Sequence, residues 1–281
     1  MAERRIVVAV PGPSDRAFYK AFMRWLAKRC RFDFKDLDRK KYQSLKSQVL
    51  DAVAPSSIKL QGASVVRLGE VLDVIVWPLG GEQGREKHAW QLLGYHLGLE
   101  EPGIDLMVAV RDMEERCAHD TLEGIYASLK AGLSNVLRGG AVGNIDVSSS
   151  GKYYFYIGNV GGKGVNVLLI AQGLEQYQCC GVELDKHAVE DFLLFLGDSN
   201  VEELLRECRV LRDVVTARAP HKKLAGLAAI ASCRPCVDDG FVAGLVRDER
   251  VEHLLMRHDG LRYFANLLRQ LLTGGSMSGC G

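Results

Sequence analysis

The sequence predicts an α/β protein, a three-layer α/β/α arrangement with a mostly parallel sheet followed by a C-terminal helical appendage. Three observations carry that expectation. Ile6 to Val10 and Leu106 to Val110 are unbroken apolar runs bounded by proline, glycine or charge, the signature of strands buried on both faces. Strand-like and helix-like stretches alternate at least three times in the first 140 residues, as in a parallel sheet covered on both sides. Beyond Gly197 the apolar spacing is helical throughout.

The first strand ends at Pro11-Gly12-Pro13, and Ser14 and Asp15 then read as an N-cap and a first-turn acid. Phe18, Phe22, Trp25 and Leu26 recur at helical spacing to about Cys30. Leu37, Leu45 and Val49 mark a weaker helix closed by Ala54-Pro55, and Val65-Val66 and Val71 to Trp77 supply strands. A glycine-rich turn from Pro78 to Gly84, containing Glu82, precedes a helix with Trp90, Leu93 and Leu97. After the strand at 106 to 110, Leu122, Ile125, Tyr126, Leu129, Leu133 and Val136 give another helix, stopped by Gly139-Gly140. Tyr153 to Ile157 and Val165 to Ala171 read as strands joined through Gly161-Gly162-Lys163-Gly164. That turn is a hairpin or a phosphate-facing loop with Lys163 as its cation; its spacing does not make a nucleotide P-loop. A short helix carrying Glu190 and Asp191 follows, then a helix capped by Asn200 with Glu203, one opened by Pro220, and two more over 254–272. The division expected is therefore 1–197 for the α/β domain, 198–273 for the helical appendage and 274–281 for a flexible tail.

At 281 residues and 47% hydrophobic the chain can bury a full core. No apolar stretch is long enough to span a membrane and no secretory segment is present, which predicts a soluble cytoplasmic protein. The formal net charge of +1 hides an uneven distribution, since residues 1 to 60 hold 14 Lys/Arg against 6 Asp/Glu. This is either a phosphate-facing surface or a solvated face, the latter favoured by the interleaving of Arg39-Lys40-Lys41 with Asp33, Asp36 and Asp38. Eight cysteines include one C-x-x-C, Cys233 to Cys236, without the second pair that zinc normally wants, so zinc is not expected. Sparse amide residues suit a thermophile, in which intracellular disulfides are found.

Chemistry is concentrated at the strand exits. Asp112 and Glu114 stand two apart at the end of the second buried run, where alternation can turn both to one side and let them share a hard cation. Glu183, Asp185, Glu190 and Asp191 form a dense acidic stretch, although a helix N-terminus favours acids for structural reasons alone.

A strand running into Pro11-Gly12-Pro13-Ser14-Asp15, a later strand into Asp112-Met113-Glu114, and a helix with Glu190-Asp191 together resemble the topoisomerase-primase (Toprim) domain over roughly residues 5–197. The nearest likeness is to small stand-alone Toprim-like proteins of archaea and bacteria and to OLD-type nucleases. Gly12 and Asp15 match the first motif of that family. Pro11 stands where the family has a glutamate, and Glu114 replaces the second aspartate of Asp-x-Asp. The resemblance implies Mg²⁺ or Mn²⁺ held by Asp112, Glu114, Glu190 and Asp191, with Asp112, Glu114 and Asp15 as catalytic residues. Asp15, Glu82 or a water would replace the missing base. Arg16, Lys163, Lys222 and Lys223 are the candidates for neutralising phosphate, with Lys222-Lys223 nearest to the lysine that OLD-like proteins carry beyond the acidic helix. The resemblance implies a metal-dependent nuclease or phosphoryl-transfer enzyme acting on nucleic acid. The alternatives are a module that binds nucleic acid or a protein partner without chemistry, and a scaffold whose acids are only solvated.

Overall fold

The computed structural model describes residues 4–53, 60, 62–80, 104–136, 145–149, 154–160, 163–179, 182–183, 186–197, 220–231, 237–246 and 248–273. Strand β1 (Arg4–Val10) leads directly into helix α1 (Pro13–Arg29). Then follow β2 (Phe34–Asp36), α2 (Gln43–Val53), β3 (Ser64–Leu68) and β4 (Leu72–Pro78). The second buried run is β5 (Leu106–Asp112), followed by α3 (Ala118–Val136), β6 (Ile145–Ser149), β7 (Tyr154–Val160) and β8 (Lys163–Gln172). After the two-residue strands β9 (Gln178–Cys179) and β10 (Val182–Glu183) come α4 (Val189–Leu196), α5 (Pro220–Ala231), α6 (Asp239–Leu245), α7 (Asp248–Arg257) and α8 (Asp259–Thr273).

Eight strands form one mixed sheet in the order β2-β3-β4-β1-β5-β8-β7-β6. The four in the middle, β4, β1, β5 and β8, are parallel to one another, while β3 and β7 run the opposite way. The reversals follow from short connections. Only Gly69, Glu70 and Val71 separate β3 from β4, with Gly69 at φ 58°, and a parallel crossover needs a dozen residues or more.

Alternation along the buried strands divides the interior in two. Ile6, Val8, Val10, Val108, Val110, Leu168 and Ile170 join one cluster with Phe18 and Phe22 of α1, Phe192 of α4 and Phe264 of α8. Val7, Ala9, Met107, Ala109, Val167 and Leu169 join the other with Val49 of α2 and Leu122, Ile125 and Leu129 of α3. Each fully buried Val, Leu or Ile contributes about 1.5–3 kcal/mol, which is why these runs carry no polar interruption. The C-terminal helices α5 to α8 contribute Leu224, Phe241, Leu254 and Leu268 to the same cluster as β1 and α1. The expected appendage thus shares the core of the sheet.

His258 ties that C-terminal part down. It is fully buried, its Nε2 lies 2.9 Å from the Ala171 carbonyl, and its Nδ1 accepts from Leu261 N at 3.0 Å, capping α8. A neutral ring protonated on Nε2 satisfies both bonds, and burial lowers its pKa to about 4. Phe192 meets the same ring edge to face at 5.0 Å.

The basic N-terminal region is internally paired at its centre. Lys20 Nζ reaches Asp36 at 3.1 Å and Asp38 at 2.9 Å, and Lys46 Nζ reaches Asp38 at 2.6 Å. Burial works against ionisation of Asp38, yet the two lysines hold its carboxyl down at about 2. Across β3 and β4, Arg67 donates from Nε and Nη2 to the buried Asp73 at 2.7 and 3.0 Å. No helix among the described residues is long and apolar enough to cross a membrane. Cys30 and Cys117 are free thiols; Cys233 and Cys236 lie outside the described residues.

Candidate functional site

In a parallel sheet the carboxyl ends of the strands are where loops diverge and a cleft can open. Here β1, β5 and β8 end on one rim, and a cleft of about 550 Å³ opens there. Pro11 to Asp15, Leu79 and Gly80 form one wall, Val110 to Glu114 and Arg116 another, and Glu190 and Lys222 close it from α4 and α5.

The β1 exit is held by backbone bonds, Leu79 N donating to Val10 O at 2.8 Å and Gly80 N to Pro11 O at 3.1 Å. α1 starts two residues earlier than the sequence suggests. Gly12 is its N-cap and Pro13 its first helical residue, because proline's fixed φ suits that position, so Ser14 is not the cap. Asp15 therefore falls in the first turn, buried and facing β8.

The centre of the site is an unforeseen residue. Gln172, the last of β8, is fully buried, and its Nε2 donates to Asp15 Oδ1 at 2.5 Å and to Asp112 Oδ1 at 2.8 Å. The register Asp112↔Gln172 sets the two strand ends side by side, and even-numbered positions on both strands face α1. Among the described residues Gln172 Oε1 has no hydrogen-bond partner.

Burial and mutual repulsion dominate the electrostatics. Burial, with the neighbouring Glu190 charge, raises Asp15 to about 7 against the pull of the Gln172 amide. Burial and then the Asp15 charge push Asp112 well above the carboxylate range, opposed by Gln172 and the Lys222 ammonium. Burial also raises Glu190, offset by its own backbone N–H and by Lys222. Tyr19, packed beneath, is driven upward by burial and by the fields of Asp15 and Asp112, so its phenol keeps its proton.

Glu114 lines the cleft with its side chain exposed, at φ 51° in the left-handed region. Its backbone exchanges two hydrogen bonds of 2.9 Å with His187, joining the β5 exit to the segment before α4. Gly173 permits that junction. It adopts φ 128°, and a Cβ there would lie 2.6 Å from His187 Cβ and 2.8 Å from its carbonyl carbon.

Several expected residues are placed elsewhere. Asp191 turns into the core, fully buried, where its Oδ2 accepts from Leu174 N and meets His187 Nδ1, both at 2.9 Å. It does not line the cleft; consecutive helical residues point about 100° apart, so Glu190 and Asp191 face different ways. Arg16 donates to Gly62 O at 3.0 Å and lies 3.9 Å from Asp239, away from the cleft. Lys163 begins β8 while the cleft lies at its end; nine strand steps of about 3.3 Å put that position roughly 30 Å away on the opposite rim. Lys163 pairs with Val160 where β8 runs antiparallel to β7, the pairing a hairpin requires; Gly161 and Gly162 lie outside the described residues. Glu82 and the side chain of Lys223 lie outside the described residues. Arg111 and Arg116, which the sequence reading passed over, line the cleft.

The donors gathered here, carboxylates with one carboxamide, are hard oxygen ligands of the kind Mg²⁺ and Mn²⁺ prefer. Among the described residues no three His, Cys, Asp or Glu side chains stand close enough together to enclose a metal ion. Compared with known proteins, the chain matches no family model, no curated protein and no solved structure.

Proposed function

We propose that the chain is a divergent Toprim-like protein, with the three-layer arrangement of that fold, that cleaves phosphodiester bonds in nucleic acid with Mg²⁺ or Mn²⁺. One observation carries this reading: Asp15, Asp112, Glu114 and Glu190, from three separate segments, line one cleft at the carboxyl ends of parallel strands. A scaffold with merely solvated acids has no reason to bury Asp15 and Glu190 against Asp112 at the cost of like-charge repulsion.

Asp112 and Glu190 are the ligands assigned to the cation, with Glu114 on the open side. Held by these residues, a divalent cation would supply Lewis-acid chemistry at a phosphodiester. Gln172 keeps Asp15 and Asp112 at a fixed separation through its single amide nitrogen. Asp15, joined to Asp112 in this way, is the carboxyl assigned to proton transfer. Lys222 balances the acidic wall electrostatically, as its effect on Asp112 and Glu190 indicates.

A second reading has its own support. Pro11 lines the cleft where the resemblance puts a glutamate, and its ring can neither bind a cation nor move a proton. On that reading the chain binds nucleic acid without cutting it.

The test incubates the purified chain with labelled single-stranded DNA, duplex DNA and RNA, in millimolar Mn²⁺ or in chelator. Cleavage only with metal, lowered roughly 100-fold in Asp112→Asn, is the expected result. Binding without cleavage of any substrate selects the second reading.

A further inference from the structure

Gln172 is fully buried at the end of β8, and its register partner on β5 is Asp112. The two polar atoms of its carboxamide fare differently. Nε2 donates to Asp15 Oδ1 at 2.5 Å and to Asp112 Oδ1 at 2.8 Å, whereas Oε1 accepts from no group among the described residues. A buried carbonyl oxygen without a donor is costly, and in native proteins an ordered water or a bound ion normally meets such an atom.

The surroundings of Oε1 select the ion. It shares a carbon with Nε2, roughly 2.3 Å away, and so lies within about 5 Å of both carboxyl oxygens that Nε2 touches. The Glu190 charge acts on the same two aspartates, which makes this a place where a cation is attracted. The Lys222 ammonium acts on Asp112 and Glu190 but makes no bond to Oε1. An amide oxygen is a hard donor that Mg²⁺, Mn²⁺ and Ca²⁺ accept beside carboxylates. The acids alone do not gather in threes among the described residues, and the carboxamide is the further oxygen next to them.

We propose that Gln172 is itself a ligand of the divalent cation, binding it through Oε1 while Nε2 keeps both aspartates in place. That role rests on the metal-dependent reading above and extends its ligand set, Asp112 and Glu190, by one neutral oxygen. With Oε1 on the cation and Nε2 on the aspartates, every polar atom of the buried amide is satisfied. A neutral donor does this without adding a further charge beside Asp15 and Asp112.

The experiment titrates Mn²⁺ into the full chain by calorimetry and, in parallel, counts the waters on bound Eu³⁺, a luminescent hard cation, from its lifetimes in H₂O and D₂O. Gln172→Met removes the oxygen, Gln172→Asn withdraws it by one methylene, and Gln172→Glu keeps an oxygen in place. Urea unfolding confirms that each variant is folded, and either of the first two serves if the other is not. Both should weaken Mn²⁺ binding about 10-fold and add about one water to bound Eu³⁺. Gln172→Glu should hold Mn²⁺ at least as tightly as the unaltered chain, with no added water. Equal water counts in the unaltered chain and in Gln172→Met overturn the ligand whatever the affinities, and leave cation binding by the carboxylates standing. A Gln172→Glu variant that gains the same water as Gln172→Met also overturns it, because the amide then serves only as a donor. No binding of Mn²⁺ or Eu³⁺ by the unaltered chain removes the ligand and the metal-dependent reading together. The expected water counts without cleavage of nucleic acid keep the ligand and remove the nuclease reading.

Discussion

Asp15 and Asp112 accept hydrogen bonds from the same nitrogen, Gln172 Nε2, at 2.5 and 2.8 Å. One neutral amide thus holds two buried carboxyls from α1 and β5 together, and the site's spacing is set by a residue that carries no charge.

Replacing that amide exposes its contribution. Gln172→Met keeps the approximate volume but leaves two buried carboxyls without their shared donor. The expected loss is about 1–3 kcal/mol of stability, read as a lowered midpoint in urea unfolding. Gln172→Glu, which adds a third buried carboxyl, should lose more at pH 7 than at pH 5. A Met variant as stable as the unaltered chain would show that the bridge contributes nothing.

His258 gives the fold a defined acid sensitivity. Its pKa is lowered from 6.5 to about 4 in the folded chain, so between those values the unfolded chain binds more protons. The stabilisation is complete above about pH 6.5 and is lost as pH falls toward 4, a difference of roughly 3 kcal/mol. Unfolding free energy measured at a series of pH values should fall across that window, and a His258→Gln variant should flatten the curve there.

Gly173→Ala tests the junction between β8 and the segment before α4. Positive φ and the approach of His187 both reject a methyl group, so a cost of at least about 2 kcal/mol is expected. The variant should also weaken Mn²⁺ binding in calorimetry, because Gln172 and Glu190 flank this crossing. Wild-type stability in the variant would contradict the described backbone.

Glu114 allows stability and function to be separated. Its left-handed backbone costs a non-glycine residue about 1–2 kcal/mol. Glu114→Gly should therefore raise the unfolding midpoint while lowering metal-dependent cleavage. Gains or losses in both together would argue against Glu114 as a residue held in strain for function.

Much of this arrangement was legible in the chain because strand and helix periodicities have physical consequences. The runs at 6–10 and 106–110 had to be buried strands, and strand ends followed by turns had to meet on one rim, bringing Asp15, Asp112, Glu114, Glu190 and Lys222 to one cleft. Helical phase at the start of α4 was not legible. Acids in a first turn are favoured whichever way they face, so nothing local separated Glu190 from Asp191. Lys163 misled because a glycine-rich turn with a lysine looks alike at either end of a sheet; only the direction of β8 tells them apart. Gln172 left no mark beyond a polar residue and a glycine closing an apolar run, since its partners are set by pairing register. The antiparallel flanks were in principle readable from the three residues between β3 and β4, too few for a crossover.

Position 11 holds its place through its carbonyl, which receives Gly80 N, and proline has no N–H to contribute. Any amino acid tolerating this extended exit inherits the same anchorage. An acidic side chain introduced at this single codon would therefore line the same cleft as Asp112, from the neighbouring wall. Whether position 11 carries a ring or a carboxylate is thus a matter of one side chain, and the backbone bonds that hold the β1 exit do not depend on the choice.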